Sequence, residues 1–524
     1  MRDTLLPITA KPSICIIGSG PGGGVLAIEL AKSGHVEVIV VDVDAIDQEY
    51  QQASSIELIA KYTGQPFGLN RTRGFGFGGS SNLWHGLVTQ LDDEDWEGID
   101  TLADAKISLE VKDCYRQLND YFPGVSELFD RRISPSSRNG HLYNELIRTS
   151  RFKLKDFYLQ KKPLRMRKLL SAAAKKYSNL RFVENSVALY FVSNATYVTE
   201  ADHLVINQGG NIENIHADYF VVAAGALETP RLCLQSIQNG FSSMQNENIG
   251  RYLCDHPWAV IGELVSKNGN FRLSVCDTYA TKGLLHRTGL LPKAKLNNTA
   301  TGTYNNHALA LKPLYFGVYT DFKEILKSLI STQLSFAGIT KLIMKYQLRD
   351  LFGCLVLLLF EKSRIGAYVK RALVFCYLEQ TPCSESSVSL TRTFDKYGRV
   401  VPEINWVFNE FDLQQASKIK EHILNSFAES KAFYFMQYEL KKESFASGSH
   451  HAGTMKIGSE KNKGAIDSNL KIFGSDNIYV CDLSIFPKYG NSNPTLTLCA
   501  FSVRLSQHLI QRLSQRLGKT ALTV

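Results

Sequence analysis

Ser13-Ile14-Cys15-Ile16-Ile17-Gly18-Ser19-Gly20-Pro21-Gly22-Gly23, with the Val25-Leu26-Ala27-Ile28-Glu29-Leu30-Ala31 that follows, is the stretch that decides the fold. The first five residues form a short apolar run suited to a parallel strand buried on both faces. Glycines follow at once, then a helical stretch that stops near Gly34. A second apolar run, Val36 to Val41, ends at Asp42. The order is strand, loop, helix, strand, which predicts an α/β domain of Rossmann-like type. Gly18 permits the tight turn, Gly20 lets backbone approach a pyrophosphate, and Gly23 lets helix pack on strand. The helix N-terminus offers unpaired N–H groups and the positive end of its dipole to phosphates. Asp42 is placed to accept hydrogen bonds from ribose hydroxyls, with Asp44 as the nearby competitor. The motif predicts a dinucleotide and leaves FAD and NAD both open.

At 524 residues the chain is too long for one small core, so two domains are expected. A net charge of +9 is modest for that length. It gives no reason to expect nucleic acid, and leaves a phosphate, a lipid surface or an acidic sugar open. The ten cysteines form no CxxC pair. Cys15, Cys376, Cys481 and Cys499 sit in apolar runs, as buried thiols do. No metal site is expected, and a reducing cytoplasm is the expected compartment. Met1 to Ala10 lacks a signal-peptide core, and no run reaches the ~18 apolar residues that span a bilayer.

Further along, Arg73-Gly74-Phe75-Gly76-Phe77-Gly78-Gly79-Ser80-Ser81-Asn82-Leu83-Trp84-His85-Gly86 is too glycine-rich for regular structure and suits a loop lying on a flat cofactor. Tyr219 to Ala226 and Leu227 to Leu234 read as strand, turn and helix, with Pro230 in the first helical turn. Asn248 to Pro257, with Asp255-His256-Pro257 at its end, reads as a structured turn. Near the C-terminus, Ser449-His450-His451-Ala452-Gly453-Thr454 and Asn491-Ser492-Asn493-Pro494-Thr495 place a histidine and an asparagine on either side of Val480 to Pro487, a buried-strand pattern ending in a polar turn. A dinucleotide site with a distant His/Asn pair points to redox chemistry at a C–H bond beside a hydroxyl.

These blocks, with Glu379-Gln380-Thr381-Pro382, stand in the order found in the glucose–methanol–choline (GMC) family of FAD-dependent oxidoreductases, which the sequence resembles from Ile14 to Arg504. The resemblance favours FAD over NAD. It implies that Gly18, Gly20, Gly23 and Asp42 hold the ADP half of FAD. Gly79, Ser80, Trp84 and His85 pass near the pyrophosphate and flavin, and Val187 contacts adenine through its backbone. Asp482 and Asn493-Pro494-Thr495 complete the flavin side. Some members bind FAD covalently through a His in the Gly-Gly loop. Leu83 stands in that register here, so non-covalent FAD is expected.

Oxidising an alcohol removes the hydroxyl proton and a hydride from the same carbon. A base at the hydroxyl lets negative charge build on oxygen and so speeds hydride transfer to flavin N5. Histidine suits this because its unperturbed pKa, ~6.5, lies close to working pH. By the resemblance His450 is that base. Asn493 orients the hydroxyl and stabilises the developing alkoxide, since an amide cannot take the proton. His451 points elsewhere, and His256 reads as a residue that stabilises its turn. Oxygen or another acceptor takes the electrons.

The FAD-binding domain is expected to be discontinuous, from 1–95, 165–255 and 447–524. Residues 96–164 would cover the cofactor, and 256–446 would form an inserted α+β substrate domain built on an antiparallel sheet. Ser386 to Leu390 and Pro402 to Val407 alternate as half-buried strands should. Lys323 to Arg371 is helical in pattern, basic and apolar. It reads either as a packed lid or oligomer helix or as a surface resting on a membrane and admitting a lipophilic alcohol. The basic stretch Lys153 to Lys176 fits the membrane reading or a solvated helix face. Besides alcohol oxidation, two readings stay open: an FAD-bearing lyase of hydroxynitrile lyase type, and a flavoprotein that only binds.

Overall fold

The structure, a computed structural model, describes residues 11–47, 60–65, 72–103, 106–130, 152–273, 283–292, 296–297, 304–305, 307–313 and 367–516. The apolar stretch read at 323–371 lies outside the described residues as far as 366. Among the described residues no helix is long and apolar enough to cross a membrane.

One layer is a parallel sheet. Its elements, in chain order, are β1 (Ser13–Ile17), α1 (Pro21–Ser33), β2 (Glu37–Val41), β3 (Leu180–Val183), β4 (Tyr219–Val222), α2 (Glu228–Gln238), β5 (Ile478–Val480) and α3 (Thr495–Arg516). The strands lie in the order β5-β4-β1-β2-β3, and every pairing is parallel. Three distant stretches of chain therefore build one sheet. The cause is local. Ile14, Val38, Phe220 and Ile478 come from strands with apolar residues at nearly every position, which helices must cover on both faces. On one side α1 packs against α3. A Cβ on Gly22 would come within 2.1 Å of the Cys481 carbonyl, so this glycine is what allows α1 to approach the end of β5. Gly34, left-handed at φ 69°, ends α1 where the sequence pattern stops it.

The second layer is a seven-stranded sheet in the order 433–437, 258–266, 371–377, 308–313, 284–292, 152–160, 87–88. Its described pairings are all antiparallel. The helix Glu410–Phe427 lies on it, opened by a capping box between Asn409 and Asp412. Ile419, Ile423 and Phe427 from the helix meet Phe152, Ile261 and Leu264 from the sheet. Two of the seven strands come from outside 256–446.

The alternating segments 387–394 and 400–405 are strands and pair with each other, but not within this large sheet. They form a small sheet with Lys61–Tyr62. Val388 and Ile404 bury themselves against Leu227, Leu253 and Trp406, beside the start of α2. Half-burial, which is all that alternation encodes, is met there without joining the larger sheet.

Candidate active site and cofactor cradle

The loop between β1 and α1 has two kinds of glycine. Gly18 is left-handed at φ 98°, and a Cβ there would meet the Ala223 carbonyl at 2.5 Å; one on Gly23 would meet the Gly18 carbonyl at 2.1 Å. These two close the loop onto the sheet. Gly20 differs: a Cβ there would meet nothing within 4 Å. It faces open space at the N-terminus of α1, whose first N–H groups have no side-chain cap. This is the arrangement a pyrophosphate requires. We therefore expect Gly20→Val to fold with an unchanged unfolding midpoint as apoprotein and to lose bound flavin. Gly22→Val should lower the midpoint itself. Thermal unfolding beside flavin absorbance after purification checks both.

Ser19, the unassigned position in the motif, ties the cradle together. Its backbone N–H donates to Asp42 Oδ2 at 2.9 Å, and its hydroxyl donates to the same oxygen at 2.5 Å. The hydroxyl also accepts the N–H of Gly78 at 2.9 Å. Burial raises the Asp42 carboxyl to about 6, against the hydrogen bonds from Ser19 and Val43. Asp44, its competitor, faces another way: Oδ1 accepts the Phe77 N–H at 2.6 Å and Oδ2 pairs with Arg167 at 2.6 Å. Val187 is buried on strand 186–193, whose first residue, Ser186, donates its N–H to the Asp42 carbonyl at 2.9 Å.

The glycine-rich loop lies on the first one. A Cβ on Gly79 would stand 3.1 Å from Gly20 Cα. Arg165 donates to the carbonyls of Ser81 and Trp84, and Arg167 to that of Phe77. Lys155 is buried against Asp92 at 3.0 Å. Three cations of the basic stretch 153–176 thus turn inward, two of them to hold this loop. Ser80 and His85 are exposed, and Trp84 is half-buried, edge-on to Phe122. At the far side Asp482 Oδ2 accepts the Gly225 N–H at 2.9 Å and the Thr229 hydroxyl at 2.5 Å, while Oδ1 accepts the Ser484 N–H at 2.8 Å. Asp482 so locks β5 to the turn before α2. Burial raises its pKa.

His450 and Asn493 meet. His450 Nε2 and Asn493 Nδ2 lie 3.2 Å apart, with Asn493 and Pro494 immediately before Thr495 at the start of α3. Ser449, the residue before the histidine, is left-handed at φ 64°. Such a conformation is uncommon outside glycine. The backbone N–H of His450 donates to Asp255 Oδ1 at 2.8 Å, and its carbonyl accepts the Tyr489 hydroxyl at 2.6 Å. Burial lowers the His450 pKa below imidazole's ordinary value, against the pull of Asp255, so the ring is neutral at neutral pH and able to accept a proton.

His256 is buried in this centre, which the sequence reading placed in a turn alone. Its Nδ1 is 3.3 Å from His450 Nδ1, and its Nε2 is 2.6 Å from the Gly490 carbonyl. Asp255 accepts the backbone N–H of His256 on the same oxygen that holds His450, and the Ser447 hydroxyl on the other. The Glu-Gln-Thr-Pro block, which had no assigned role, supports both turns. Glu379 accepts the Gly490 N–H at 3.0 Å; Gln380 accepts the N–H groups of Asp255, at 3.1 Å, and the Trp406 indole, at 2.8 Å. A histidine before proline carries no sequence signal for a contact across 194 residues. A separate group, Asp202, His203 and His216, brings three ligand atoms within 4.8 Å on the 201–208 and 211–216 hairpin. It shares no residue with this centre.

Residues 382–502 match the C-terminal domain of the family described as GMC oxidoreductase. 6'''-Hydroxyparomomycin C oxidase from Streptomyces lividus is 35% identical over 71 residues, which is 13% of this chain and 13% of that protein. The structure of pyridoxine 4-oxidase from Mesorbium loti shares the fold, with a TM-score of 0.59 at 13% identity over 95% of this chain and 99% of that one. Both His450 and Asn493 fall within 382–502, the part of the chain that is similar to the GMC oxidoreductase C-terminal domain.

Proposed function

We propose that the protein oxidises a primary or secondary alcohol to the carbonyl with FAD as its cofactor. The observation that carries this reading is the pair His450 Nε2 and Asn493 Nδ2, 3.2 Å apart at the head of α3. A substrate hydroxyl meeting these two atoms would give its proton to His450, and the Asn493 amide would donate to the oxygen as charge develops on it. FAD, when bound, supplies the hydride acceptor. Gly18, Gly20, Gly23 and Asp42 would hold its ADP half. Val187 would meet the adenine through its backbone, Gly79, Ser80, Trp84 and His85 would pass near the pyrophosphate and flavin, and Asp482, Asn493, Pro494 and Thr495 would complete the flavin side. The open space at Gly20 and the uncapped start of α1 support that placement. Assembly of the parallel sheet from three distant stretches supports a FAD domain from 1–95, 165–255 and 447–524. Leu83 in the covalent register supports a flavin that acid precipitation releases.

Both named relatives are oxidases, which supports oxygen as the acceptor. The test is anaerobic mixing of the yellow protein with pyridoxine, an aminoglycoside, sugars, aliphatic alcohols and sterols, followed by oxygen. Bleaching by one alcohol class and prompt recovery in oxygen are expected. Bleaching by none of them, with cleavage of a cyanohydrin instead, would move the reading to a lyase.

A further inference from the structure

We propose that His256 is a positioning residue that fixes His450 in the tautomer whose bare nitrogen, Nε2, faces the substrate. This rests on the reading of His450 as the base. The row of donors starts at the Gly490 carbonyl. A carbonyl oxygen only accepts, so His256 Nε2, 2.6 Å away, carries a proton. Burial, and then the neighbouring His450, pull the His256 pKa to about 3, so the ring is neutral and has that one proton only. Its Nδ1 is therefore an acceptor. The atom facing it at 3.3 Å is His450 Nδ1, which must donate. A neutral His450 then has no proton left for Nε2, whose lone pair receives the Asn493 amide N–H at 3.2 Å.

All four groups point one way, from Asn493 through His450 and His256 to Gly490. The other tautomer of His450 fails at both ends. It would set two lone pairs against each other at His256 and two N–H groups against each other at Asn493. The consequence for the reaction is direct. When the substrate O–H bond breaks and an N–H bond forms at Nε2, the Nδ1–H of the resulting imidazolium is already donated to His256. A hydrogen bond from a charged donor is about twice as strong as a neutral one, so His256 makes His450 a stronger base. The other groups facing this centre are Asp255 on the backbone N–H groups of both histidines, Lys155 acting on His256, His451 next in the chain, and Tyr489 on the His450 carbonyl.

Two amides separate this role from simple support of the Gly490 loop. His256→Asn keeps an acceptor near the place of Nδ1 and loses the donor to Gly490. His256→Gln keeps a donor toward Gly490 and loses the acceptor. With pyridoxine as the reductant, His256→Asn is expected within a few-fold of wild type, and His256→Gln slower in flavin reduction by roughly 10–100-fold at unchanged KM. A second readout needs no turnover: the pH dependence of diethyl pyrocarbonate labelling of His450 in the holoenzyme, mapped by peptide mass spectrometry. Its midpoint should fall in His256→Gln and stay in His256→Asn. A neutron structure of the wild type should show the proton of His450 on Nδ1. The reverse order of the two variants, equal midpoints in all three proteins, or a proton on Nε2 would each overturn the proposal. If pyridoxine and every other alcohol fail to reduce the flavin while the midpoints still split, the alcohol reading falls and the assignment of His256 stands.

Discussion

His450→Gln is expected to purify with its flavin and to reduce it roughly a thousandfold more slowly than wild type, within the 10²–10⁴ range for loss of a general base. None of the cradle contacts described above passes through the His450 side chain. Its ring touches His256 and Asn493, so flavin occupancy should hold. Glutamine preserves an amide near Asn493 and cannot take a proton at working pH. The wild-type rate should itself fall as pH falls, because the base works only unprotonated. Burial lowers the pKa of His450, so the acid limb should lie below imidazole's ordinary ~6.5. In His450→Gln that limb should vanish. Stopped-flow flavin reduction across pH checks both, and a variant that keeps the wild-type rate removes His450 from the chemistry. Asn493→Ala, which leaves the base in place, should slow reduction while keeping the acid limb.

The β1–α1–β2 start of the parallel layer was legible because its signals are short-range. Apolar runs, a glycine loop and a 3.6-residue period lie within thirty residues of one another, and each has one physical meaning. His450 and Asn493 were legible through their blocks, and they do meet. The contacts that complete the centre were not, for three separate reasons. Ser19 occupies a position the motif leaves free, and its role depends on Asp42 and Gly78 arriving from two other segments. Arg165 and Arg167 looked like solvated or membrane-facing charge, because composition cannot tell a guanidinium that meets water from one that meets carbonyls. His256 looked like part of a turn, which it is; only the fold brings its ring to His450. Alternation in 387–394 and 400–405 encodes one buried face and says nothing about which sheet will cover it.

Glu228→Gln should destabilise the protein by about 3–5 kcal/mol, the cost of removing one partner from a buried ionic group. Glu228 opens α2, where a carboxylate also meets the positive end of the helix dipole. Around it lie Arg231 at 2.6 Å, Arg73 at 3.4 Å and Arg399 at 3.6 Å, and Arg399 also pairs with Asp395 at 2.7 Å. All five side chains are at least 89% buried, so these are not screened surface pairs. Three guanidiniums share two carboxylates, and the amide would leave them one. Burial pushes the Glu228 carboxyl up; Arg399, Arg231 and Arg73 overcome it and hold the pKa well below the ordinary 4.5. The sign follows from that direction. A folded-state pKa below the unfolded one contributes stability that is complete above about pH 4.5 and is lost as pH falls through the folded value. The difference between wild type and Glu228→Gln should therefore be largest at neutral pH and shrink in acid, which denaturant unfolding at several pH values measures. Arg73 begins the glycine-rich loop that lies on Gly20, so the variant should also bind flavin more weakly. A pH-independent difference, or none, would mean that the three arginines are held by other groups.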